Sequence, residues 1–209
     1  SPSYMEELTQ QANGLEQLFR MERAKSSGIL NGIDTVVWNP ENDTYILDNF
    51  SVKDAATGKK LNNKKLCKDF KLDETLPLFI YIGRLVGEKA ADLLPQAITD
   101  SISQLGKRMN FLILGSGDKR VEDHLTYLTE GFAGFYNSRI GYNEKLSHQM
   151  YAGADFLLMP SRVEPCGLNQ MYALRYGTIP IVRSTGGLKD TVIDFGEPGG
   201  FGIRFNHAS

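Results

Sequence analysis

From position 78 onward, short apolar runs alternate with segments whose apolar residues recur at helical spacing. The apolar runs predict six strands, at residues 78–83, 111–114, 135–140, 156–159, 179–182 and 201–205. The segments between them predict helices at residues 90–105, 121–128, 146–152, 168–176 and 188–195. Repeated strand–helix units with short links are typical of the α/β class, so we expect a doubly wound parallel sheet with helices on both faces.

The first 77 residues follow a different pattern. Residues 4–23 and 59–70 have helical spacing, residues 28–33 predict a strand, and residues 34–58 are rich in Asn, Asp and Pro. So little regular structure cannot form a core of its own. We therefore expect residues 1–33 to come from a neighbouring domain, 34–77 to connect the domains and 78–209 to form the doubly wound domain. Residues 1–33 should be mobile or paired with another molecule.

Composition narrows the possible functions. Hydrophobic residues make up 41% of the chain and charged residues 23%, a balance typical of folded domains. The net charge of -2 argues against a nucleic-acid surface, although it allows a local basic pocket for a small anion. We expect no membrane span, and the two cysteines indicate a reducing compartment without a disulfide framework. The three histidines lie far apart, so we expect no metal site.

The most informative segment is residues 160–170, PSRVEPCGLNQ, which lies between a predicted buried strand and a predicted helix. Open α/β sheets bind their ligands at this kind of junction, where helix N–H groups can hold an anion. Glu164 is a candidate for binding a sugar hydroxyl or stabilising positive charge, and a structural carboxylate is the alternative. Cys166 could be somewhat acidic at a helix start, but we favour a packing or backbone-contact role.

Other candidates also follow predicted strands. Arg84 and Lys89 suit a pyrophosphate, unless they are only surface charges. Gly115 begins a Gly-Ser-Gly turn that either is simply tight or admits a nucleotide, and it fits neither the dinucleotide nor the phosphate-loop motif. Tyr142 could stack on a base or be a rim tyrosine. Residues 183–188 contain two glycines, which would permit a ligand to approach the backbone closely. The alternative is that this segment is only a connecting loop.

Together, these residues resemble a known family. Residues 83–89, 141–142, 160–168, 172–178 and 185–192 resemble the C-terminal domain of bacterial glycogen synthases and plant starch synthases, and EPCGL is the most specific match. Residues 26–40 resemble the passage between the two domains of that family. Two positions depart from it: Ala90 stands where the family usually has glycine, and Asn169 where threonine is common.

The resemblance implies a GT-B fold, of which this chain would be the Rossmann-like C-terminal domain, truncated at its end. The family transfers glucose from ADP-glucose, or possibly UDP-glucose, to the non-reducing end of an α-1,4-glucan, with retention and without a metal or other cofactor. Most of the N-terminal domain would be missing, so the chain alone should be inactive. A cytoplasmic location is implied, or a plastid in a plant, with no membrane or nucleic-acid partner.

The resemblance also assigns roles to individual residues. Arg84 and Lys89 would hold the donor diphosphate and stabilise the leaving group, and Glu164 would contact glucose hydroxyls. Tyr142 would stack on the adenine, and Thr185 would lie near the distal phosphate. The backbone of Cys166 and Gly167 would contact glucose hydroxyls, and the backbone around Leu168 and Asn169 would donate to the phosphates. Gly115, in the turn that could admit a nucleotide, completes the expected donor-binding residues.

Two alternatives remain open. Another GT-B enzyme, such as a sucrose-phosphate-synthase-like or lipid-sugar transferase, would share the Arg84 and Lys89 pair, but Cys166 in its motif argues against it. A non-catalytic nucleotide-binding module could lose either cation without penalty, yet both are present. The sequence does not choose between ADP-glucose and UDP-glucose, although the bacterial and plant resemblance favours ADP-glucose.

Overall fold

One parallel sheet organises the computed structural model, which describes residues 1–207. Within these residues six strands pair in the order β3-β2-β1-β4-β5-β6. They are β1 Leu78–Leu85, β2 Asn110–Gly117, β3 Tyr136–Ile140, β4 Phe156–Met159, β5 Ile179–Arg183 and β6 Ile203–Phe205. The doubly wound, Rossmann-like fold and the six predicted strands are confirmed. Positions 208 and 209, which end the predicted domain, lie outside the described residues.

Helices cover both faces of the sheet. They are α1 Pro2–Leu8, α2 Glu16–Met21, α3 Ala55–Phe70, α4 Leu94–Leu105, α5 Lys119–Gly131, α6 Glu144–Gly153, α7 Asn169–Arg175 and α8 Gly186–Thr191. On one face, Ile98 of α4 and Leu125 of α5 belong to one apolar core. On the other, residues of α3, α6, α7 and α8 form a second core. The chain changes face because right-handed crossovers run to opposite sides when the strand order reverses at β1.

Strand β1 is the point of this reversal. It pairs with β2 along its whole length, from Leu78 to Leu85. Its pairing with β4 covers Phe79 and Ile80 and stops there. Beyond Ile80 the two strands are free to diverge, which opens a crevice at their C-terminal ends, where doubly wound folds bind ligands.

Some predicted helices have different bounds. The helix expected at residues 90–105 begins at Leu94, after two 3₁₀ turns separated by Ala90, whose φ of 52° is left-handed. A right-handed α-helix cannot continue through a residue with left-handed backbone angles, so the regular helix begins only after Ala90. The helix expected at 188–195 covers Gly186–Thr191, because the chain is extended from Val192. The helix expected at 4–23 is divided into α1 and α2 by positive φ angles at Asn13 and Gly14.

The N-terminal segment differs most from expectation. The strand predicted at residues 28–33 is absent from the described structure, where these residues pair with no other strand. Helix α1 packs against α8 of the same chain, and the expectation that residues 1–33 are mobile or paired with another molecule stays a prediction. Ser3 donates hydrogen bonds to Asp190 from its backbone nitrogen (2.8 Å) and its hydroxyl (2.5 Å).

Residues of the predicted connecting segment also pack against the sheet domain. Ile46 and Phe50 lie in the apolar core to which α3 and α6 also contribute residues. Asn62 of α3 anchors this segment: its amide oxygen accepts from the backbone nitrogen of Leu47 at 2.9 Å, and its amide nitrogen donates to the carbonyl oxygen of Asp48 at 2.8 Å. Residues 46–50 are therefore packed onto the sheet domain, whatever domain precedes them.

Strands β1 and β2 approach each other closely at Gly115. A Cβ added at Gly115 would lie 2.1 Å from the carbonyl oxygen of Gly83, whereas one added at Gly131 would meet nothing within 4 Å. We therefore expect Gly115→Ala to lower the free energy of unfolding by about 1–3 kcal/mol, because the overpacked strands must shift. Gly131→Ala is the matched control and should not destabilise the chain. Urea unfolding measures both, and equal stabilities would contradict the close approach.

Candidate active site

Two adjoining cavities occupy the crevice at the C-terminal ends of the strands. The first, of about 360 Å³, extends from β1 and β2 to the loop after β3. The second, of about 320 Å³, lies between the ends of β1 and β4. They share Ile82, Gly83 and Asn169. A single elongated ligand can therefore extend from one cavity into the other.

An ion pair dominates the second cavity. Lys89 Nζ lies 2.5 Å from Glu164 Oε2, and the two side chains are only 21% and 7% exposed. The hydroxyl of Ser161 donates to the same carboxylate oxygen at 3.1 Å. Burial of a carboxylate is costly unless charge and hydrogen bonds compensate, so the contacts with Lys89 and Ser161 stabilise the Glu164 side chain in this orientation. The predicted candidates Lys89 and Glu164 are thus brought into contact.

The N-terminus of α7 lies beside this pair. Gly167, Leu168 and Asn169 line the second cavity, and the donor-binding role expected of them stays a prediction. In the described structure Leu168 makes no side-chain cap at the helix start, and the first N–H groups of a helix have no intrahelical acceptor. Asn169 Nδ2 donates to the carbonyl oxygen of Ile82 at 2.6 Å, which ties α7 to β1. This end of the cavity therefore offers N–H donors to an anion.

The first cavity contains three further predicted residues, Arg84, Gly115 and Tyr142. The side chain of Arg84 is exposed and lies 3.4 Å from Glu88 Oε2, an ion pair that solvent weakens. Tyr142 is 87% exposed, so its ring can turn towards a ligand. Trp38, from the segment before α3, also lines this cavity, and the sequence did not indicate it.

A clamp joins the two loops that carry the ion pair. The guanidinium of Arg162 donates to both carboxylate oxygens of Asp92, at 2.5 and 2.8 Å, and to the carbonyl oxygen of Gly87 at 2.7 Å. The hydrogen bond from Arg162 lowers the pKa of Asp92. Sequence reasoning missed this clamp because Asp92 lies 70 positions away and nothing in either local pattern indicates the partner.

Two predicted donor-binding residues lie apart from these cavities. In the part of the chain that the structure describes, neither Cys166 nor Thr185 is among the lining residues. The thiol of Cys166 accepts a hydrogen bond from the backbone nitrogen of Asn31 at 3.1 Å. The hydroxyl of Thr185 donates to a carboxylate oxygen of Glu7 at 3.1 Å. Both therefore contact the N-terminal segment, and their roles towards a donor stay predictions.

The glycines after β5 also have a structural reason. A Cβ at Gly186 would lie 2.0 Å from the carbonyl oxygen of Glu164, and one at Gly187 would lie 2.1 Å from that of Cys166. The backbone nitrogen of Gly187 donates to the Glu164 carbonyl oxygen at 2.9 Å. The close approach that these glycines permit in this structure is to the loop that carries Glu164, and an approach to a ligand, one of the two alternatives for this segment, stays a prediction.

The fold and its cavities define an α/β domain with a crevice where the strand order reverses, which is where nucleotide-binding domains of this architecture bind their ligands. Residues 62–207 match the family model of glycosyl transferases group 1, and the chain therefore belongs to this family. Residues 1–207 contain no cluster of His, Cys, Asp and Glu suited to a metal ion. In the same range, no helix is both long and apolar enough to cross a membrane.

Known proteins resemble the whole chain. It is 57% identical to a glycogen synthase of Flavobacterium johnsoniae, over 100% of this chain and 44% of that protein. A glycogen synthase of Acholeplasma laidlawii is 42% identical, over 93% of this chain and 41% of the relative. The chain thus spans less than half the length of these curated relatives.

Solved structures resemble it too. The catalytic domain of starch synthase IV from Arabidopsis thaliana, bound to ADP and acarbose, superposes with a TM-score of 0.90 at 36% identity, over 100% of this chain and 44% of that one. The C-terminal domain of a glycosyl transferase group 1 family protein from Francisella tularensis has a TM-score of 0.56 at 15% identity, over 84% and 80% of the chains. The second likeness concerns the fold alone. The expected C-terminal domain of a GT-B glycosyltransferase is confirmed as the fold.

The buried ion pair yields a stability test. Lys89→Met leaves the Glu164 carboxylate buried without its cation, which should lower the free energy of unfolding by about 3–5 kcal/mol. Adding Glu164→Gln removes the uncompensated charge and should restore part of the loss. The exposed pair of Lys119 and Asp123 is the control, with side chains 76% and 63% exposed, and Lys119→Met should cost under about 1 kcal/mol. Guanidinium unfolding of the wild type, the two Lys89 variants and Lys119→Met measures these free energies. An unchanged free energy of unfolding in Lys89→Met would contradict the proposed dependence of Glu164 on Lys89.

Proposed function

We propose that this chain is the donor-binding half of a glycogen or starch synthase. The enzyme would transfer glucose from ADP-glucose to the non-reducing end of an α-1,4-glucan, with retention of anomeric configuration. The observation that carries the proposal is the Lys89–Glu164 pair, which lies in a cavity beside the N-terminus of α7 and next to a second cavity. The similarity to glycogen synthases and to a starch synthase that binds ADP supports it.

The charge distribution matches the chemistry of the proposed reaction. Negative charge develops on the diphosphate as the bond to glucose breaks, and catalysis requires groups that stabilise this charge. Arg84 and Lys89 supply two cations, and the N–H groups around Leu168 and Asn169 add donors. The mechanism therefore needs no metal, and these side chains carry the charge stabilisation.

Glu164 has a different part in this mechanism. Its carboxylate binds glucose hydroxyls and stabilises the positive charge that develops on the sugar. The Ser161 hydroxyl, 3.1 Å from the carboxylate oxygen, holds it in one orientation. When the diphosphate binds, Lys89 shares its ammonium hydrogen bonds between the phosphates and Glu164, so donor binding and sugar positioning are linked.

The first cavity would receive the nucleoside. Tyr142 stacks on the base, as aromatic faces do, and the shared residue Asn169 marks the passage to the diphosphate. The glucan would bind mainly to the part of the enzyme that this chain does not include, in keeping with the 44% of the relative that it spans. The compartment that we propose is the cytoplasm, or a plastid if the source is a plant.

Nucleotide binding is the first test. We expect calorimetry to show binding of ADP and not of UDP, because the relatives include a starch synthase bound to ADP. Arg84→Ala should weaken ADP binding at least about tenfold, since a charge-assisted contact is lost. Arg120→Ala is the control, as Arg120 is 93% exposed and pairs with Asp118 outside both cavities. Binding of UDP alone would reject the proposed donor, and binding of neither would reject a self-sufficient donor site.

Glucose transfer is the second test. The chain alone should incorporate no labelled glucose from ADP-glucose into glycogen, because the acceptor side of the cleft is not part of it. The full-length glycogen synthase of Flavobacterium johnsoniae serves as the positive control. Incorporation by the chain that is lost in Glu164→Gln would show that residues 1–209 are sufficient and would contradict the prediction.

A further inference from the structure

We propose that Trp38 forms a wall of the nucleoside cavity and that the buried side chains of Asp43 and His148 hold it there. Trp38 would thus be a donor-specificity residue, and Asp43 and His148 positioning residues. The ligand would be a purine nucleoside diphosphate, or the sugar nucleotide built on it. This inference rests on the proposed function, since it assigns the first cavity to the nucleoside.

The indole of Trp38 is held between two rings. His148 and Tyr172 stack on it with ring centroids at 3.8 Å in each case and interplanar angles of 13° and 19°. Two parallel rings at the same distance must occupy opposite faces of the indole. Tyr151 meets it edge to face at 5.7 Å. The indole therefore cannot turn over, and a ligand in the cavity meets its edge.

The same rings connect Trp38 to the cavity. Trp38, Tyr151 and Tyr172 all line the first cavity, together with Tyr142 at its mouth. Trp38, Tyr151 and Tyr172 contact one another and so form one continuous aromatic part of the lining, to which the strand ends contribute Gly83 and Gly115. A rigid apolar wall of this kind favours a flat base over a flexible polar ligand, because little conformational freedom is lost on binding.

A buried polar cluster fixes the backbone that carries Trp38. Asp43 Oδ2 accepts from the hydroxyl of Tyr176 at 2.5 Å and lies 2.6 Å from His148 Nδ1, and the Asp43 and His148 side chains are 2% and 1% exposed. The amide of Asn49 donates to the carbonyl oxygens of Asp43 and Pro40, at 2.9 and 3.1 Å. These bonds hold the loop that follows Trp38 against α6 and α7.

The ionisation of this cluster follows from its contacts. Burial alone would raise the pKa of Asp43, but hydrogen bonds from His148 and Tyr176 outweigh it, so that the pKa lies below its usual value. His148 Nδ1 therefore carries the proton that it donates to the carboxylate. Among residues 1–207 no group forms a hydrogen bond with His148 Nε2, so the contact of Nδ1 with Asp43 is what orients the ring. The ring of His148 is thus fixed in the plane that stacks on Trp38.

Trp38 is the only tryptophan of the chain, so its fluorescence reports directly on the cavity. We expect ADP to change the emission, with saturation at the affinity that calorimetry gives. Inorganic pyrophosphate, which lacks the nucleoside, should bind without a saturating change in emission. Trp38→Leu and Asp43→Asn should weaken ADP binding about tenfold, since a rigid aromatic wall is lost or loosened, and should leave pyrophosphate affinity unchanged.

Two tyrosine variants control for general destabilisation. Tyr176→Phe removes the hydroxyl that bonds to Asp43, whereas Tyr136→Phe removes an equally buried hydroxyl that donates to the Leu125 carbonyl oxygen at 2.8 Å on the other face of the sheet. Only Tyr176→Phe should weaken ADP binding and increase acrylamide quenching of Trp38. If Asp43→Asn does not fold, ADP binding by Tyr176→Phe and the fluorescence of the wild-type chain test the inference instead.

The outcomes separate this inference from the proposed function. If the wild-type chain binds ADP but Trp38→Leu and Tyr176→Phe bind it equally well, the inference is wrong and the donor site stands. An equal loss of ADP and pyrophosphate affinity in these variants would also overturn it, because it would indicate general damage to the site. If the wild-type chain binds no nucleotide, both the donor site and the role of Trp38 are rejected for this chain.

Discussion

The reversal of strand order at β1 is the constraint on which the rest of the structure depends. Right-handed crossovers send α4 and α5 to one face of the sheet and α6, α7 and α8 to the other. Pairing between β1 and β4 then stops after Ile80 and Leu157, and no crossover covers the gap beyond. The crevice follows from topology, and the loops after β1 and β4 bring Lys89 and Glu164 together in it.

Contacts between backbones then give this crevice its shape. Gly187 lies against the loop that carries Glu164, and Gly115 lies against Gly83, at distances that leave no room for a Cβ. The Arg162–Asp92 clamp joins the loop after β4 to the segment after β1. A buried carboxylate needs such fixed surroundings, because a small displacement of Lys89 would leave it without compensation. Gly187 and the Arg162–Asp92 clamp line neither cavity and therefore act on the site through the loops that they hold, whereas Gly115 also lines the first cavity.

Segments outside the sheet complete the domain. Helix α1 packs against α8, and Glu7 accepts a hydrogen bond from the backbone nitrogen of Gly186 at 2.7 Å. Ile46 and Phe50 lie in the core, and Trp38 lies at the first cavity. The division at residues 33 and 77 was drawn from the predicted elements and the family resemblance, which do not indicate what these segments pack against, and it stays a prediction. The hydrogen-bond partner of a polar loop residue can be distant in the sequence: Asp43 contacts His148, more than 100 positions away.

The sequence by itself determined the six strands, the doubly wound class and the placement of Arg84, Lys89 and Glu164 at strand ends. These depend on apolar periodicity and on turn residues, which act over a few neighbouring positions. Only the tertiary structure decided that Lys89 pairs with Glu164, that Arg162 clamps Asp92 and that residues 28–33 form no strand. It also decided that α4 begins after Ala90, whose left-handed backbone the sequence pattern did not reveal. The physical reason is distance along the chain: these contacts join segments that meet only after the sheet has formed, and no local pattern records the partner.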